Sequence, residues 1–192
     1  MSFPLNKLII IAAPSGSGKT SIVRHLLEAL PNSLAFSISA TTRASRSHEK
    51  NNQDYYFISV DEFQDHIEKN DFIEWEMVYE GKYYGTLKSE LLRIWDQQKF
   101  PLLDVDVQGG IHVQQQFVGN SLSLFIEPPS IEELERRLRK RGTETEESLQ
   151  ARINKASFEL SFKNQFHHII LNDNLNEACA EAEKLVKEFL GL

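Results

Sequence analysis

The chain has 192 residues, with 21 lysines and arginines against 28 aspartates and glutamates and a formal charge of −7. Its 41% hydrophobic and 26% charged residues are those of an ordinary folded globule, which excludes wholesale disorder, and the length suits one compact domain. The acidic balance argues against a chain that wraps nucleic acid, because that work needs a basic face to displace counterions from phosphates.

The first apolar run, Leu5 to Ala13, is interrupted by Lys7 and is followed at once by turn residues. It falls well short of the roughly 20 apolar residues that span a bilayer, so it reads as a buried first strand of a cytoplasmic protein with no membrane partner. Further continuous apolar runs, the mark of strands covered on both faces, stand at Leu34–Ile38, Pro101–Val107, Leu122–Ile126 and His167–Leu171, in line with Leu8–Ala12. Between them, apolar residues at three- and four-residue spacing predict helices at Thr20–Leu30, Leu87–Gln97, Gly110–Phe117, Ile131–Arg141, Glu147–Phe162 and Leu175–Leu190. The alternation predicts an α/β fold with a five-stranded parallel sheet between helices.

Two stretches depart from the alternation. Between Thr41 and Tyr84, short aromatic strands at Tyr55-Tyr56-Phe57-Ile58, Phe72-Ile73-Glu74-Trp75 and Tyr83-Tyr84 flank a capped helix beginning near Asp61, which predicts an inserted mixed α/β subdomain. From Arg136 to Glu147, basic residues crowd a Gly142-Thr143-Glu144-Thr145 turn between two helices, as a mobile flap requires. The only cysteine, Cys179, permits no internal disulfide and points to a reducing compartment.

The most specific motif is Ala13-Pro14-Ser15-Gly16-Ser17-Gly18-Lys19-Thr20, placed after a strand and opening a helix. Phosphate oxygens carry dense charge, and Gly16 and Gly18 let backbone N–H groups curl round them at the positive end of a helix. Lys19 supplies a cation for the β and γ phosphates, and Thr20 offers a hydroxyl to Mg²⁺, which prefers oxygen ligands. Ala13 replaces the glycine that usually opens the pattern. The motif predicts nucleoside triphosphate binding and does not name the acceptor.

Acceptor chemistry gathers farther on. Ser39-Ala40-Thr41-Thr42-Arg43-Ala44-Ser45-Arg46 ends the second core strand with two forked guanidinium groups, which suit a phosphate dianion. Asp54-Tyr55, Phe72-Ile73-Glu74-Trp75 and Tyr83-Tyr84-Gly85-Thr86 add hydroxyls, aromatic faces and a carboxylate. Asp104 and Asp106 close an apolar strand, where ligands collect at the C-terminal edge of a parallel sheet.

These motifs, with Leu103-Asp104-Val105-Asp106-Val107-Gln108-Gly109, Pro128-Pro129-Ser130 and Arg141-Gly142-Thr143-Glu144-Thr145-Glu146-Glu147, make the chain resemble the guanylate kinase family from Leu8 almost to its C-terminus. The resemblance implies a P-loop NTPase three-layer core at 1–38, 88–127 and 156–192, a GMP-binding insert at 39–87 and a helical lid at 128–155. It implies ATP and GMP as substrates and Mg²⁺ as cofactor. Ala13, Pro14, Ser15, Gly16, Ser17, Gly18, Lys19, Thr20, Ser21 and Asn172 then correspond to ATP-binding positions, and Thr20 with Asp104 to the metal site. Arg43, Arg46, Tyr55 and Tyr84 correspond to positions that grip the GMP phosphate, and Ser39, Glu74 and Thr86 to positions that read the base. The resemblance also implies that one of Asp104 and Asp106 lies near the guanine amino group or ribose. Lys19, Arg43, Arg137, Arg141 and Arg152 match cationic positions of catalysis.

The chemistry of guanine supports that division. Its ring N–H and amino group donate side by side to one carboxylate, and O6 accepts from hydroxyls, whereas adenine would leave Glu74 an unpaired buried charge. Thr86 stands where the family often has serine, and the loop between Arg46 and Asp54 lacks glycines common in relatives. Two other readings keep this scaffold: an interaction domain that binds phosphorylated peptides in the acceptor cleft, and a kinase for sugar phosphates.

Overall fold

The computed structural model describes residues 7–47, 49–140 and 146–192. In chain order the elements are β1 (Leu8–Ala12), α1 (Lys19–Ala29), β2 (Leu34–Phe36), β3 (Ala40–Thr41), β4 (Tyr56–Phe57), α2 (Val60–Glu68), β5 (Phe72–Tyr79), β6 (Lys82–Leu87) and α3 (Lys88–Asp96). There follow β7 (Phe100–Val105), α4 (Val107–Gln116), β8 (Ser121–Glu127), α5 (Ile131–Lys140), α6 (Glu146–Leu160), β9 (His168–Leu171) and α7 (Leu175–Leu190).

Strands β2, β7, β1, β8 and β9 form, in that order, the five-stranded sheet that the apolar runs predict, and every pairing in it is parallel. The reason is legible in β1, whose five residues are all fully buried. Ile9 and Ile11 pack with Ile22, Leu26, Ala182 and Val186 on the α1 and α7 side, while Leu8 and Ile10 pack with Leu91 and Val113 on the α3 and α4 side. Both faces of the strand are thus core, so the run has no polar alternation. Burial of each such side chain stabilises the fold by about 1.5–3 kcal/mol.

A second sheet, in the order β4, β3, β6, β5, comes wholly from residues between 40 and 87. Helix α2 starts at Ser59, whose side chain accepts from the Glu62 N–H, and buries Phe63 against Phe72 with ring centroids 4.4 Å apart. Strand β5 extends beyond the predicted Phe72–Trp75 to Tyr79, because the antiparallel pairing with β6 continues as far as Lys82.

One boundary differs from the sequence expectation in a way that bears on the site. The strand predicted at Pro101–Val107 ends at Val105, and α4 begins at Val107 rather than Gly110. Asp106 terminates the strand by capping that helix, its carboxylate accepting from Gly109 N–H at 2.8 Å. Gly110, where the helix is predicted to start, and Gly109 before it are both helical and close-packed. A Cβ on Gly110 would lie 3.2 Å from both Ala12 and Phe166, so only glycine lets α4 settle so near the sheet.

Helices α5 and α6 pack on each other through Leu134, Leu138, Leu149 and Ala156. Arg141 and the turn at 142–145, where the basic flap is predicted, lie outside the described residues.

Candidate active site

The loop between β1 and α1 turns through Gly16 and Gly18 at φ of 96° and 91°, the left-handed region that glycine enters without steric strain. At Gly16 a Cβ would also meet Leu138 Cγ of α5 at 3.1 Å, so the loop is the floor on which α5 rests. Lys19 is the first residue of α1; its Nζ donates to the carbonyl of Val105 at 2.6 Å and is ion-paired with Asp104. Burial opposes charge on this amine, but attraction and hydrogen bonding from Asp104 outweigh it and hold the pKa above the ordinary lysine value.

Two arginines predicted for catalysis reach the loop by different routes. Arg152 of α6 donates to the Ser15 hydroxyl at 2.8 Å. Arg137 of α5 donates to Glu133 at 2.8 Å and to the carbonyl of Asn172 at 3.0 Å. Asn172, predicted at the adenine, is 3% exposed, and its side-chain amide donates to the Ser17 carbonyl at 2.6 Å. Its side chain braces the phosphate loop from behind, and Arg137 reaches that brace through the backbone. Thr20 lines the cleft beside the loop, and Ser21 follows it on α1 with its N–H bonded to the Gly18 carbonyl.

A cleft of about 280 Å³ joins the phosphate loop to the second sheet. Ala13, Pro14, Ser15, Gly16, Gly18, Lys19 and Thr20 line it from the loop, joined by Asp104 and Arg152, which bond to Lys19 and Ser15; Ser39, Tyr55, Glu74, Tyr84 and Asp106 complete the lining. Glu74 sits on β5 directly opposite Thr86 on β6, and its Oε1 accepts from the Thr86 hydroxyl at 2.7 Å. Only 8% exposed, the carboxyl is pushed up to about 7, first by burial and then by the charges of Asp106 and Glu76, with the Thr86 bond opposing.

The predicted acceptor arginines stand differently. The Arg43 guanidinium makes two bonds of 2.6 Å to Glu49 and lies over the Tyr55 ring, 4.9 Å from its centroid. That fork holds Glu49 down at about 2. Arg46 is 61% exposed in its side chain and 3.9 Å from the same carboxylate. Tyr55 and Tyr84 meet edge to face with centroids 6.1 Å apart.

The sequence model of the guanylate kinase family matches residues 5–189. A guanylate kinase of Bacteroides fragilis is 48% identical over 97% of this chain and 91% of its own length. One from Porphyromonas gingivalis is 45% identical over 97% and 99%. Among solved structures, the guanylate kinase from Anaplasma phagocytophilum superposes with a TM-score of 0.76 at 29% identity, covering 95% of this chain and 85% of that one. The chain belongs to the guanylate kinase family.

In this guanylate kinase family member the cleft also holds residues that motif reading passes over. Glu76, Lys155 and Glu159 line it, with Lys155 Nζ 3.6 Å from Asp106 and 3.5 Å from Glu159. Burial raises Glu159 to about 7 although Lys155 opposes the shift. Glu76 faces His112 of α4 at 3.1 Å. Outside the cleft, Glu90 of α3 is 2% exposed and accepts from Ile38 N–H at 2.9 Å, Tyr56 hydroxyl at 2.8 Å and the Arg93 guanidinium. It thereby ties a core helix to the end of β2, next to Ser39, and to the second sheet. Glu90 and Arg93 at three-residue spacing look like an ordinary surface pair, and only the distant Ile38 N–H and Tyr56 hydroxyl reveal the buried carboxylate's role. Glu49 carries a faint signal in sequence, since a carboxylate near two arginines is an ordinary loop composition.

Proposed function

We propose that this chain transfers the γ-phosphoryl group of ATP to GMP, giving ADP and GDP, in purine nucleotide metabolism. The observation that carries the acceptor's identity is the buried Glu74 carboxylate, anchored by Thr86 in the same cleft as Lys19. A buried carboxylate with one oxygen fixed is poised to accept two parallel donors, and guanine supplies an N–H and an amino group at that spacing. The Ser39 hydroxyl, which lines the same cleft, suits O6.

In this reading the triphosphate lies on the N–H groups of residues 15–20. A terminal oxygen of the GMP phosphate attacks the γ-phosphorus in line, and the bond to the oxygen bridging the β and γ phosphates breaks, leaving ADP. The attacking phosphate has a second pKa of about 6 and is largely ionised near neutrality, so no general base is required. The protein's work is alignment and charge compensation. Lys19 exchanges Asp104 for the β and γ oxygens. Arg152, already on the phosphate loop, and Arg137 on α5 add positive charge as α5 and α6 close, while Arg43 and Arg46 with Tyr55 and Tyr84 hold the acceptor phosphate.

The donor set at the loop suits Mg²⁺. Thr20 and Asp104 both face the cleft and offer only oxygen, and a shell of roughly six oxygens leaves the remainder to ATP and water. Thr20 and Asp104 would hold the cation, which would supply charge compensation for the phosphates of ATP. A lone free thiol accords with a cytoplasmic location.

Coupled measurement of ADP release with GMP, AMP and ribose phosphates tests the assignment. Turnover with GMP alone supports it. Absence of turnover favours a binding module, and preference for a sugar phosphate removes the guanine assignment.

A further inference from the structure

Glycine in the first turn of a helix is unfavourable without a local reason, because alanine there loses less backbone entropy. Gly109 in α4 has such a reason. A Cβ at this position would lie 2.7 Å from Glu74 Oε2 and 3.2 Å from Glu74 Cδ, with Asp106 Oδ1 at 3.1 Å. Helix α4 packs on β5, and at the far end of the helix Gln116 Nε2 donates to the Ile73 carbonyl at 2.6 Å. The bare edge of α4 therefore forms one wall of the slot that holds the carboxylate.

We propose that Gly109 is a positioning residue for acceptor selectivity: its missing side chain lets Glu74 lie where one oxygen takes the Thr86 hydroxyl and the other remains aimed at the acceptor base. The proposal rests on the reading of Glu74 as the guanine acceptor. With a methyl group at position 109, Oε2 must retreat by about 0.7 Å to restore an ordinary contact of 3.4 Å. The far end of a glutamate yields cheaply, so the fold survives. Yet Oε1 is tied to Thr86 at 2.7 Å, and the retreat turns the carboxylate out of the plane in which two parallel donors meet it. Misplacement on the scale of 1 Å is worth about a hundredfold in a positioned reaction, so a shift of this size is expected to lower acceptor efficiency about tenfold.

Gly110 provides the contrast. Its close neighbours are the side chains of Ala12, Phe166 and Ile10, all core, so a methyl group there strains packing without touching Glu74.

The test is steady-state transfer by Gly109→Ala with GMP and with IMP, which keeps the ring N–H but lacks the amino group, alongside thermal melting. The expected result is a melting midpoint equal to or above that of the unaltered chain, an ATP KM within about twofold, and a GMP-to-IMP ratio of kcat/KM reduced by about tenfold. Gly110→Ala is expected to lower the midpoint and leave that ratio unmoved. A ratio in Gly109→Ala equal to that of the unaltered chain overturns the proposal, whether or not overall activity falls, and so does a collapse of its melting midpoint. If the unaltered chain turns over no GMP, the functional reading itself fails; if it does and the ratio is indifferent to Gly109→Ala, only the role of Gly109 fails.

Discussion

Replacing Glu74 by glutamine separates what the carboxylate does for the ligand from what it does to the fold. Its pKa stands at about 7 in the folded chain against 4.5 as an ordinary glutamate, chiefly through burial. Between those values the folded chain holds a proton that the unfolded chain has released, so the group's favourable contribution is complete below 4.5 and disappears as pH rises through 7. At 1.36 kcal/mol per pH unit the full difference is about 3 kcal/mol, a ceiling that water in the open cleft lowers. Glutamine keeps the shape and an acceptor for Thr86 but never ionises. Glu74→Gln should therefore be the more stable protein by up to about 3 kcal/mol at about pH 8, and by less than about 1 kcal/mol at about pH 5. Urea unfolding followed by tryptophan fluorescence at both pH values measures this directly. In parallel, the variant should lose GMP use while retaining ATP affinity. A stability gain that is the same at both pH values, or a loss at pH 8, would refute burial of the charge as the source of the shift.

The same carboxyl should link GMP binding to protons. Guanine needs the ionised form, so near pH 7 binding expels part of a proton; calorimetry in two buffers of different ionisation enthalpy should show a buffer-dependent heat that shrinks in Glu74→Gln, and equal dependence in both proteins would contradict the link. Lys19→Ala should lower kcat by about a thousandfold through lost charge compensation, a change that single-turnover phosphate transfer detects, and a value within tenfold of the unaltered chain would contradict its role. Tyr56→Phe removes one bond to the buried Glu90 and should reduce unfolding free energy by about 1 kcal/mol while raising the GMP KM more than the ATP KM. Equal changes in both KM values would show that Glu90 does not brace the acceptor side.

The parts of the fold legible in sequence are those whose cause is local. Leu8–Ala12 is apolar at every position because both faces of β1 are covered, and the glycines before Lys19 occupy the backbone region that only they enter freely. What escaped reading depends on partners distant in the chain. Asp106 looks like part of a strand until Gly109 proves to be helical, and glycine stands at 109 and 110 because Glu74, Ala12 and Phe166 approach too closely for larger residues. The bond from the Asn172 amide to the Ser17 carbonyl spans 155 positions and has no local signal. Arg43 carries the forked cation that a phosphate needs, but the carboxylate filling that fork sits in the loop whose course the sequence leaves undefined. Sequence therefore supplies the residue types of the cleft, whereas the pairing among them comes from tertiary packing.

A crystal structure with adenosine and guanosine joined through a bridging phosphate chain tests the central claim most directly. The account predicts phosphates on the backbone N–H groups of residues 15–20, Lys19 turned from Asp104 to those phosphates, and the guanine N–H and amino group both within hydrogen-bond distance of Glu74. A guanine bound away from the second sheet, with Glu74 bonded only to Thr86, would contradict it.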